Sequence, residues 1–194
     1  MIRKEKKKEK LLRMRTGRCE KMSGIILYKS KYGATKQYAE WISERTGFIC
    51  KRTDEADIKD ILKYDVIILG GGIYASGIAG ISFLKKNIGK LKGKKILVFC
   101  CGASPYEQSS FETVVKHNFK DALSGIPCFY CRGTFDMSAM SFKDRTLCRL
   151  LRKAVSKKKP DEYEVWEKAL MAVEENERGD WIDKAYIEPV IKAL

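Results

Sequence analysis

Three strongly apolar runs constrain the fold of this chain most: IILY at residues 25–28, VIIL at 66–69 and ILVFCC at 96–101. Hydrophobic residues continue through each run instead of alternating with polar ones, which is typical of strands covered on both faces. Helix-like patterns lie between the runs, as parallel strands require, because a short turn cannot return the chain to the same end of a sheet. The pattern therefore predicts a doubly wound α/β domain.

Five strands are predicted from these runs and from two weaker patterns, at residues 24–29, 48–52, 65–70, 94–100 and 127–133. Helices with one apolar face fill the gaps, and Tyr38 and Ile42 share such a face in the first of them. Two further helices are predicted near residues 162–175 and 180–194, with Pro189 kinking or shortening the last one.

The hexapeptide SKYGAT, residues 30–35, lies where the first strand passes into the first helix. Gly33 lets a ligand approach the backbone closely, and the free N–H groups and dipole at the start of a helix favour a bound anion. We therefore predict a phosphate site held mainly by the backbone, with an ordinary capped turn as the alternative. Its residues are Ser30, Lys31, Tyr32, Gly33, Ala34 and Thr35.

The glycine-rich stretch GGGIYASG, residues 70–77, follows the third predicted strand. It matches the dinucleotide pattern G-x-G-x-x-[GA], but a nicotinamide site needs an acidic residue at the end of the next strand, and that strand ends in cysteines. Flexible backbone beside a flat ring, with Tyr74 available for stacking, is the better interpretation. The residues predicted to flank this side of the ring are Gly71, Gly72, Ile73, Tyr74, Ala75 and Ser76.

The stretch CCGASPYE, residues 100–107, again combines glycine and small residues with one aromatic residue. Ligands of open parallel sheets bind at the carboxyl ends of the strands, so the three segments should meet there. A phosphate site facing two loops that flank a flat ring predicts flavin mononucleotide (FMN) as the cofactor. The residues predicted on this second side are Cys101, Gly102, Ala103, Ser104 and Tyr106.

These motifs resemble the flavodoxin family. SKYGAT satisfies that family's phosphate signature, [ST]-x-[TY]-G-x-T, and CGASPYE is similar to its C-G-D-S-x-Y-E loop, with Ala103 in place of the Asp. The resemblance covers about residues 24–133. It implies a flavodoxin-like, five-stranded parallel sheet of order 2-1-3-4-5 with helices on both faces, and an isoalloxazine ring between the second and third segments.

A further resemblance extends towards the C-terminus. The tripeptide Gly133-Thr134-Phe135, a basic amphipathic helix around residues 144–155 and a final helix at Asp180-Trp181 are similar to the menaquinone-dependent protoporphyrinogen oxidases, flavodoxin-fold enzymes of heme synthesis. This implies an oxidoreductase acting on a porphyrin-type substrate with a quinone as acceptor. The alternative is an electron carrier for an unknown redox partner. No side chain is predicted to act as acid or base, so the chemistry is assigned to the flavin.

The formal net charge of +14 helps to distinguish these alternatives, because the electron-carrier flavodoxins are typically acidic. An electropositive surface favours the anionic reduced flavin, raises its potential and attracts acidic partners. The charge therefore disfavours a soluble carrier of low potential.

Residues 143–159 are the most basic part of the predicted domain. Leu147, Leu150 and Leu151 share one face of a helix there, with basic residues largely on the others. Such a helix can lie on anionic lipid or bind the propionates of a porphyrin; the alternative is that its leucines pack on the sheet. Nucleic acid is not predicted as a partner, because no aromatic residues are interleaved with the basic ones.

Other chemically reactive residues are predicted to be structural. Cys128 and Cys131 have C-x-x-C spacing, but positions three apart in a strand face opposite sides, so both should be core residues. Cys100 and Cys101 should also pack at the end of their strand, with flavin contact as the alternative. His117 should lie on the surface, and no metal site is predicted.

The domain organisation follows from composition. Residues 1–22 are a basic tail, predicted to be disordered or to precede a translation start at Met22, with a lipid- or nucleic-acid-binding arm as the alternative. Residues 23–194 form one domain with a helical extension from about residue 143. The chain contains no apolar run of membrane-spanning length and no signal peptide pattern, which predicts a cytoplasmic protein. Contact with the inner face of the membrane through the basic helix is a further expectation.

Overall fold

The computed structural model of the chain describes residues 22–174 and 177–194. The predictions made for the basic tail at residues 1–21 lie outside the described residues and stay predictions. The described part contains a central sheet with helices on both faces, followed by an extension of short elements.

Five parallel strands form the central sheet in the order β2-β1-β3-β5-β6, and β4 adds a two-residue antiparallel hairpin to the end of β3. Because β4 lies off the main path, this order confirms the predicted 2-1-3-4-5 arrangement. A separate antiparallel pair joins β7 to β8. The strands are β1 (Gly24–Lys29), β2 (Ile49–Arg52), β3 (Val66–Tyr74), β4 (Gly77–Ile78), β5 (Lys95–Gly102), β6 (Cys128–Arg132), β7 (Thr134–Asp136) and β8 (Arg178–Asp180).

Helices lie between these strands and after the last one, and several of them pack on the two faces of the sheet. They are α1 (Ala34–Thr46), α2 (Ile58–Ile61), α3 (Ile81–Asn87), α4 (Gln108–Asn118), α5 (Phe142–Val155), α6 (Val165–Met171) and α7 (Glu188–Lys192). Short 3-10 turns lie at Ile88–Lys90, Asp121–Leu123, Pro160–Glu162 and Lys184–Ile187.

Two hydrophobic clusters, one on each face of the sheet, explain why the apolar runs are nearly continuous. In β1, Ile25 and Leu27 pack with residues of α2 and α3, whereas Ile26 packs with Tyr38 of α1 and Val190 of α7. All five side chains are at most 2% exposed. Since burial of one such side chain is worth about 1.5–3 kcal/mol, covering both faces makes these strands the main source of stability.

The C-terminal region departs from the sequence prediction. Residues 180–194 were expected to form a helix, but the chain pairs as β8 and stays extended before a 3-10 turn and the five-residue α7. The backbone N–H of Trp181 bonds the carbonyl oxygen of Gly133 at 3.2 Å, which fixes the extended path. Pro189 lies in the first turn of α7, where its missing N–H costs nothing. The helix predicted at 162–175 is shortened to α6.

Within residues 22–174 and 177–194, every helix is too short or too polar to cross a membrane.

Candidate functional site

A cavity of about 870 Å³ opens at the carboxyl ends of β1, β3 and β5, the edge at which ligands of open α/β sheets bind. All three predicted segments contribute to its wall. A more open hollow of about 440 Å³ lies near the amino ends of β5 and β6 and contains none of the predicted site residues. The larger cavity is therefore the candidate site.

The SKYGAT segment forms the turn from β1 into α1, as predicted. Gly33 is the N-cap residue with φ 98°, a conformation that favours glycine, and its N–H bonds the Ser30 hydroxyl at 3.0 Å. No side chain caps the first turn of this 13-residue helix, so its leading N–H groups are available to an anion. Thr35 is buried at 3% exposure and lines the cavity beside them.

Asp144 of α5 lies over this turn, a contact that the sequence did not predict. Its carboxylate pairs with the ammonium group of Lys31 and accepts a hydrogen bond from the hydroxyl of Tyr32. Hydrogen bonding to Asp144 raises the pKa of Lys31, and the bonds from Lys31 and Tyr32 lower the pKa of Asp144. The turn is thus linked to the C-terminal extension by charged hydrogen bonds.

The GGGIYASG segment is not a simple turn. β3 continues through Tyr74, and the chain reverses over Ala75 and Ser76, both with positive φ, before pairing as β4. Asn118, at the end of α4, holds this reversal: its side-chain amide donates to the Ser76 carbonyl oxygen at 2.7 Å, and its side-chain oxygen accepts from the Ile78 N–H at 2.9 Å. A buried asparagine therefore fixes the loop that the sequence described as flexible.

The CCGASPYE segment forms the end of β5 and the loop leading to α4. Two side chains of β6 hold its backbone: the Tyr130 hydroxyl donates to the Ser104 carbonyl oxygen at 2.5 Å, and the Arg132 guanidinium donates to the Ala103 carbonyl oxygen at 3.2 Å. Tyr106 is half exposed and packs against Tyr130 with 5.9 Å between ring centroids. The structure thus places Tyr106 beside the wall of the cavity.

Most of the predicted site residues meet in the cavity. Those that line it are Ser30, Tyr32, Ala34, Thr35, Gly72, Ile73, Tyr74, Ala75, Ser76, Cys101, Gly102, Ala103 and Ser104. The exceptions are Lys31, Gly33, Gly71 and Tyr106. Of these, Gly71 has a structural reason to be glycine, since a Cβ there would lie 2.1 Å from the Ala79 carbonyl oxygen. Contact of each residue with a cofactor stays a prediction.

The cavity continues into a region that the sequence analysis did not identify, here called the apolar lobe. Helices α5 and α6 and the loop before α5 line it. The side chains on this wall are Met140, Leu147, Cys148, Leu151, Val165, Trp166, Ala169 and Leu170. Trp166 is 40% exposed and borders this lobe. In the sequence, only the leucines of α5 hint at this lobe. The direction in which they point depends on tertiary contacts, so the sequence alone does not predict it.

The carboxylates on the cavity wall are already engaged by other groups. Glu107 caps α4 by accepting from the N–H groups of Ser109 and Ser110, and hydrogen bonds from Ser110 and Ser109 hold its pKa at about 2. Asp144 is paired as described, and Glu164 accepts from the indole N–H of Trp166 at 2.7 Å. These groups therefore serve structure and stay ionised where their pKa is lowered.

Of the cysteines near the site, Cys100, Cys101 and Cys131 are buried, whereas Cys128 and Cys148 are partly buried. Cys100 and Cys128 approach with 3.9 Å between their sulfur atoms, and this contact together with burial raises the pKa of Cys100 well above its usual value. Contact with Cys101 and burial act in the same direction on Cys131. Thiols in this state are poor nucleophiles. His117 is exposed on α4, and the described residues contain no cluster of three potential metal ligands.

The chemistry of the cavity fits FMN. A single uncapped helix start with the buried hydroxyl of Thr35 suits one phosphate group, and the glycine-containing strand ends of β3 and β5 present backbone on two sides of the adjoining space. A volume of about 870 Å³ also lies within the usual range for small-molecule and cofactor sites. Fold and site together define a flavin-mononucleotide-binding α/β redox protein.

The match to a known protein family agrees with this class of protein. A family model described as a flavodoxin domain matches residues 25–163, and the chain belongs to this family. Its cofactor is FMN, as the sequence predicted. No curated protein matches the chain.

Solved structures with a similar fold include several flavodoxins. The flavodoxin of Megasphaera elsdenii is 21% identical, with 55% of this chain and 82% of that chain covered and a TM-score of 0.40. A flavoprotein from Lactobacillus acidophilus NCFM, solved in complex with FMN, is 17% identical, with 57% and 92% covered and a TM-score of 0.40. A short-chain flavodoxin associated with a bacterial microcompartment is 20% identical, with 57% and 81% covered and a TM-score of 0.43.

Proposed function

We propose that the protein is an FMN-dependent oxidoreductase that binds an apolar substrate in the apolar lobe. The observation that carries this proposal is that one cavity contains both the predicted FMN residues and the α5–α6 wall. A protein that only carries electrons needs an accessible edge of the flavin. It does not need a cavity beside the flavin that could hold a second small molecule. The continuity of the cavity therefore favours catalysis on a bound small molecule.

FMN would be held by backbone rather than by charged side chains. The first turn of α1, with Ser30 and Thr35, would bind the phosphate group, and the ends of β3 and β5 would flank the ring. When bound, FMN supplies hydride or single-electron transfer. The role of the chain is to orient the substrate against the flavin.

The apolar lobe would supply binding energy and exclude water from the reacting face. Side chains such as Leu147, Leu151 and Leu170 offer no hydrogen bonds to a polar substrate, so they favour apolar molecules. Hydrogen bonds lower the pKa of both Glu107 and Asp144, so neither carboxylate carries a proton to donate at neutral pH. Proton exchange is thus assigned to the substrate, the flavin and solvent rather than to these carboxylates.

The resemblance to menaquinone-dependent protoporphyrinogen oxidases specifies which compounds to test first. A porphyrinogen is a large, largely apolar ring system, and menaquinone is an apolar acceptor. Both have the chemistry that the apolar lobe would accept, and the basic residues of α5 could bind porphyrin propionates. We accordingly propose porphyrinogen as electron donor and quinone as acceptor.

Reconstitution tests the proposal in two stages. FMN titrated into the purified chain should lose fluorescence as it binds. Protoporphyrinogen IX and a menaquinone analogue should then yield fluorescent protoporphyrin in an FMN-dependent reaction. Protein that binds FMN but gives no porphyrin would retain the class and remove this substrate, and would favour the electron-carrier alternative.

A variant of the lobe separates substrate binding from FMN binding. Ala169 of α6 is buried on the lobe wall, so Ala169→Leu should fill the lobe and raise KM for the substrate while FMN affinity stays unchanged. Ala172→Leu, at an exposed position just after the same helix, is the matched control. Equal kinetics in the two variants would contradict a substrate site in the lobe.

A further inference from the structure

We propose that α5 docks the protein on a membrane surface that contains anionic lipid. The proposal concerns where the protein binds, and it does not depend on the substrate proposed above. It starts from an unusual feature of α5: large apolar side chains lie in solvent on a helix with a strongly basic sequence.

The solvent-facing side of α5, here called the outward face, consists of Phe142, Lys143, Leu150 and Lys153, together with Thr146. Phe142 is 83% exposed and Leu150 is 61% exposed. These two side chains lie outside the cavity wall, and within the described residues nothing covers them. At 3.6 residues per turn, Phe142 and Leu150 are about 80° apart around the helix, and the two lysines lie beside them.

The orientation of α5 is imposed by polar contacts on its other side. Arg145 donates to the carbonyl oxygen of Met137 at 2.8 Å, and Arg152 donates to that of Leu170 at 2.9 Å. Asp144 binds the SKYGAT turn, as described above. These bonds turn two arginines inward and leave Leu150 in solvent, whereas Leu147 and Leu151 border the apolar lobe. The interpretation in which the leucines pack on the sheet is therefore wrong.

The charge around the outward face is complementary to anionic lipid. Residues 143–160 contain eight Lys and Arg residues and one Asp. Lys143, Lys153 and Lys157 are exposed, and their long side chains can reach lipid headgroups while Phe142 and Leu150 enter the interface. A basic helix with exposed Phe and Leu has the composition of interfacial membrane helices. An acidic protein partner would need the lysines but would leave the apolar side chains without a role.

Docking by this face would also orient the site. Leu147 and Leu151 line the apolar lobe and are themselves partly exposed next to the outward face. The opening of the lobe would thus face the bilayer surface, where apolar molecules are concentrated.

Cosedimentation of the full chain with vesicles tests the proposal. Phosphatidylcholine vesicles containing phosphatidylglycerol should bind the protein, and pure phosphatidylcholine vesicles should not. Phe142→Ser/Leu150→Ser and Lys143→Glu/Lys153→Glu should each weaken binding by about tenfold or more, because each removes one of the two contributions. Ile49→Ser is the matched control, since Ile49 is 48% exposed on the edge strand β2, away from the outward face.

Three results would overturn the proposal. Absence of binding to anionic vesicles would do so directly. Equal binding by wild type and both α5 variants would assign the attraction to another basic region, such as residues 1–21, which all variants share. Light scattering that shows a dimer lost on Phe142→Ser/Leu150→Ser would assign this face to self-association. FMN titration of every variant checks that the fold is retained.

Discussion

The side-chain amide of Asn118 donates a 2.7 Å hydrogen bond to the carbonyl oxygen of Ser76 across 42 positions of sequence. Asn118 is 2% exposed, and its side-chain oxygen also accepts from the N–H of Ile78. Ala75 and Ser76 have φ of 45° and 64°, a conformation that non-glycine residues adopt only when their surroundings impose it. One side chain of α4 therefore determines the shape of the loop predicted to flank the flavin ring.

Replacing Asn118 should lower both stability and FMN affinity. Asn118→Ala leaves the Ser76 carbonyl and the Ile78 N–H without their partner, which should reduce the free energy of unfolding by about 1–3 kcal/mol. The loop should relax, and the Kd for FMN should rise. Urea unfolding and fluorescence titration measure the two effects.

Asn87→Ala provides the control for that variant. Asn87 is also buried, but it donates only to the Phe83 carbonyl oxygen within its own helix, away from the cavity. Asn87→Ala should lower the free energy of unfolding and leave the affinity for FMN unchanged. If Asn118→Ala binds FMN as tightly as Asn87→Ala does, the loop is not held by Asn118 in the way described.

Removing the charge of Asp144 should strengthen FMN binding. In Asp144→Asn the ammonium group of Lys31 loses its carboxylate partner, and a negative charge disappears from the edge of the predicted phosphate site. Because both groups are partly exposed, the gain should be modest, up to about fivefold in Kd. The gain should shrink as salt is added. Asp60→Asn, which removes the distant exposed pair with Lys63, should leave Kd unchanged. A higher Kd for FMN in Asp144→Asn would show instead that the contact between Asp144 and Lys31 organises the turn.

The capping of α4 by Glu107 should make stability depend on acid pH. The pKa of Glu107 is lowered from 4.5 to about 2 by hydrogen bonds from Ser110 and Ser109, so the folded state favours the carboxylate. A lowered pKa contributes stability that is present above pH 4.5 and is lost as pH falls towards 2. Glu107→Ala should therefore unfold more easily than wild type at pH 7, and the difference should diminish near pH 2.

Urea unfolding at several pH values measures this difference. Glu112→Ala, at an exposed position on the same helix, is the control and should show little of the pH dependence. A gap between wild type and Glu107→Ala that stays constant from pH 7 to pH 2 would rule out the carboxylate cap as its origin.

Gly70 should be intolerant of any side chain. A Cβ at this position would lie 2.2 Å from the ring of Phe99, which is fully buried on the neighbouring strand. Gly70→Ala should therefore cost about 1–3 kcal/mol in the free energy of unfolding, as overpacked core substitutions do. Gly89→Ala has open space around it and should change stability by less than about 1 kcal/mol. Unfolding of the two variants by denaturant measures this difference. Equal free energies of unfolding would contradict tight packing at Gly70.

Local sequence patterns predicted much of the sheet and the position of the SKYGAT turn. The runs around Ile26, Ile68 and Leu97 identify strands buried on both faces, and each of these residues lies in the core. The SKYGAT turn lies where the sequence predicted it, between β1 and α1, and Gly33 has a positive φ there. These features depend on neighbours in sequence, so a single chain suffices to identify them.

Contacts between distant segments were not predictable in this way. The bond from Asn118 to Ser76 and the pairing of Asp144 with Lys31 join residues that share no local pattern. The helix predicted at residues 180–194 began too early, because the extended backbone at its start depends on the pairing of β8 with β7. The sequence also did not show which side of α5 faces solvent, because the same spacing of leucines fits a helix whose leucines point inward or outward.

The sequence by itself determined the doubly wound sheet and the SKYGAT turn, because backbone preference and continuous hydrophobicity act over a few residues at a time. Tertiary structure alone decided that α5 and α6 enclose an apolar lobe and that Phe142 and Leu150 face solvent. The physical reason is that a helix is rotated by whichever of its side chains find partners. On α5 those are Asp144, Arg145 and Arg152, and their partners lie in the SKYGAT turn, in the loop before α5 and in α6, respectively.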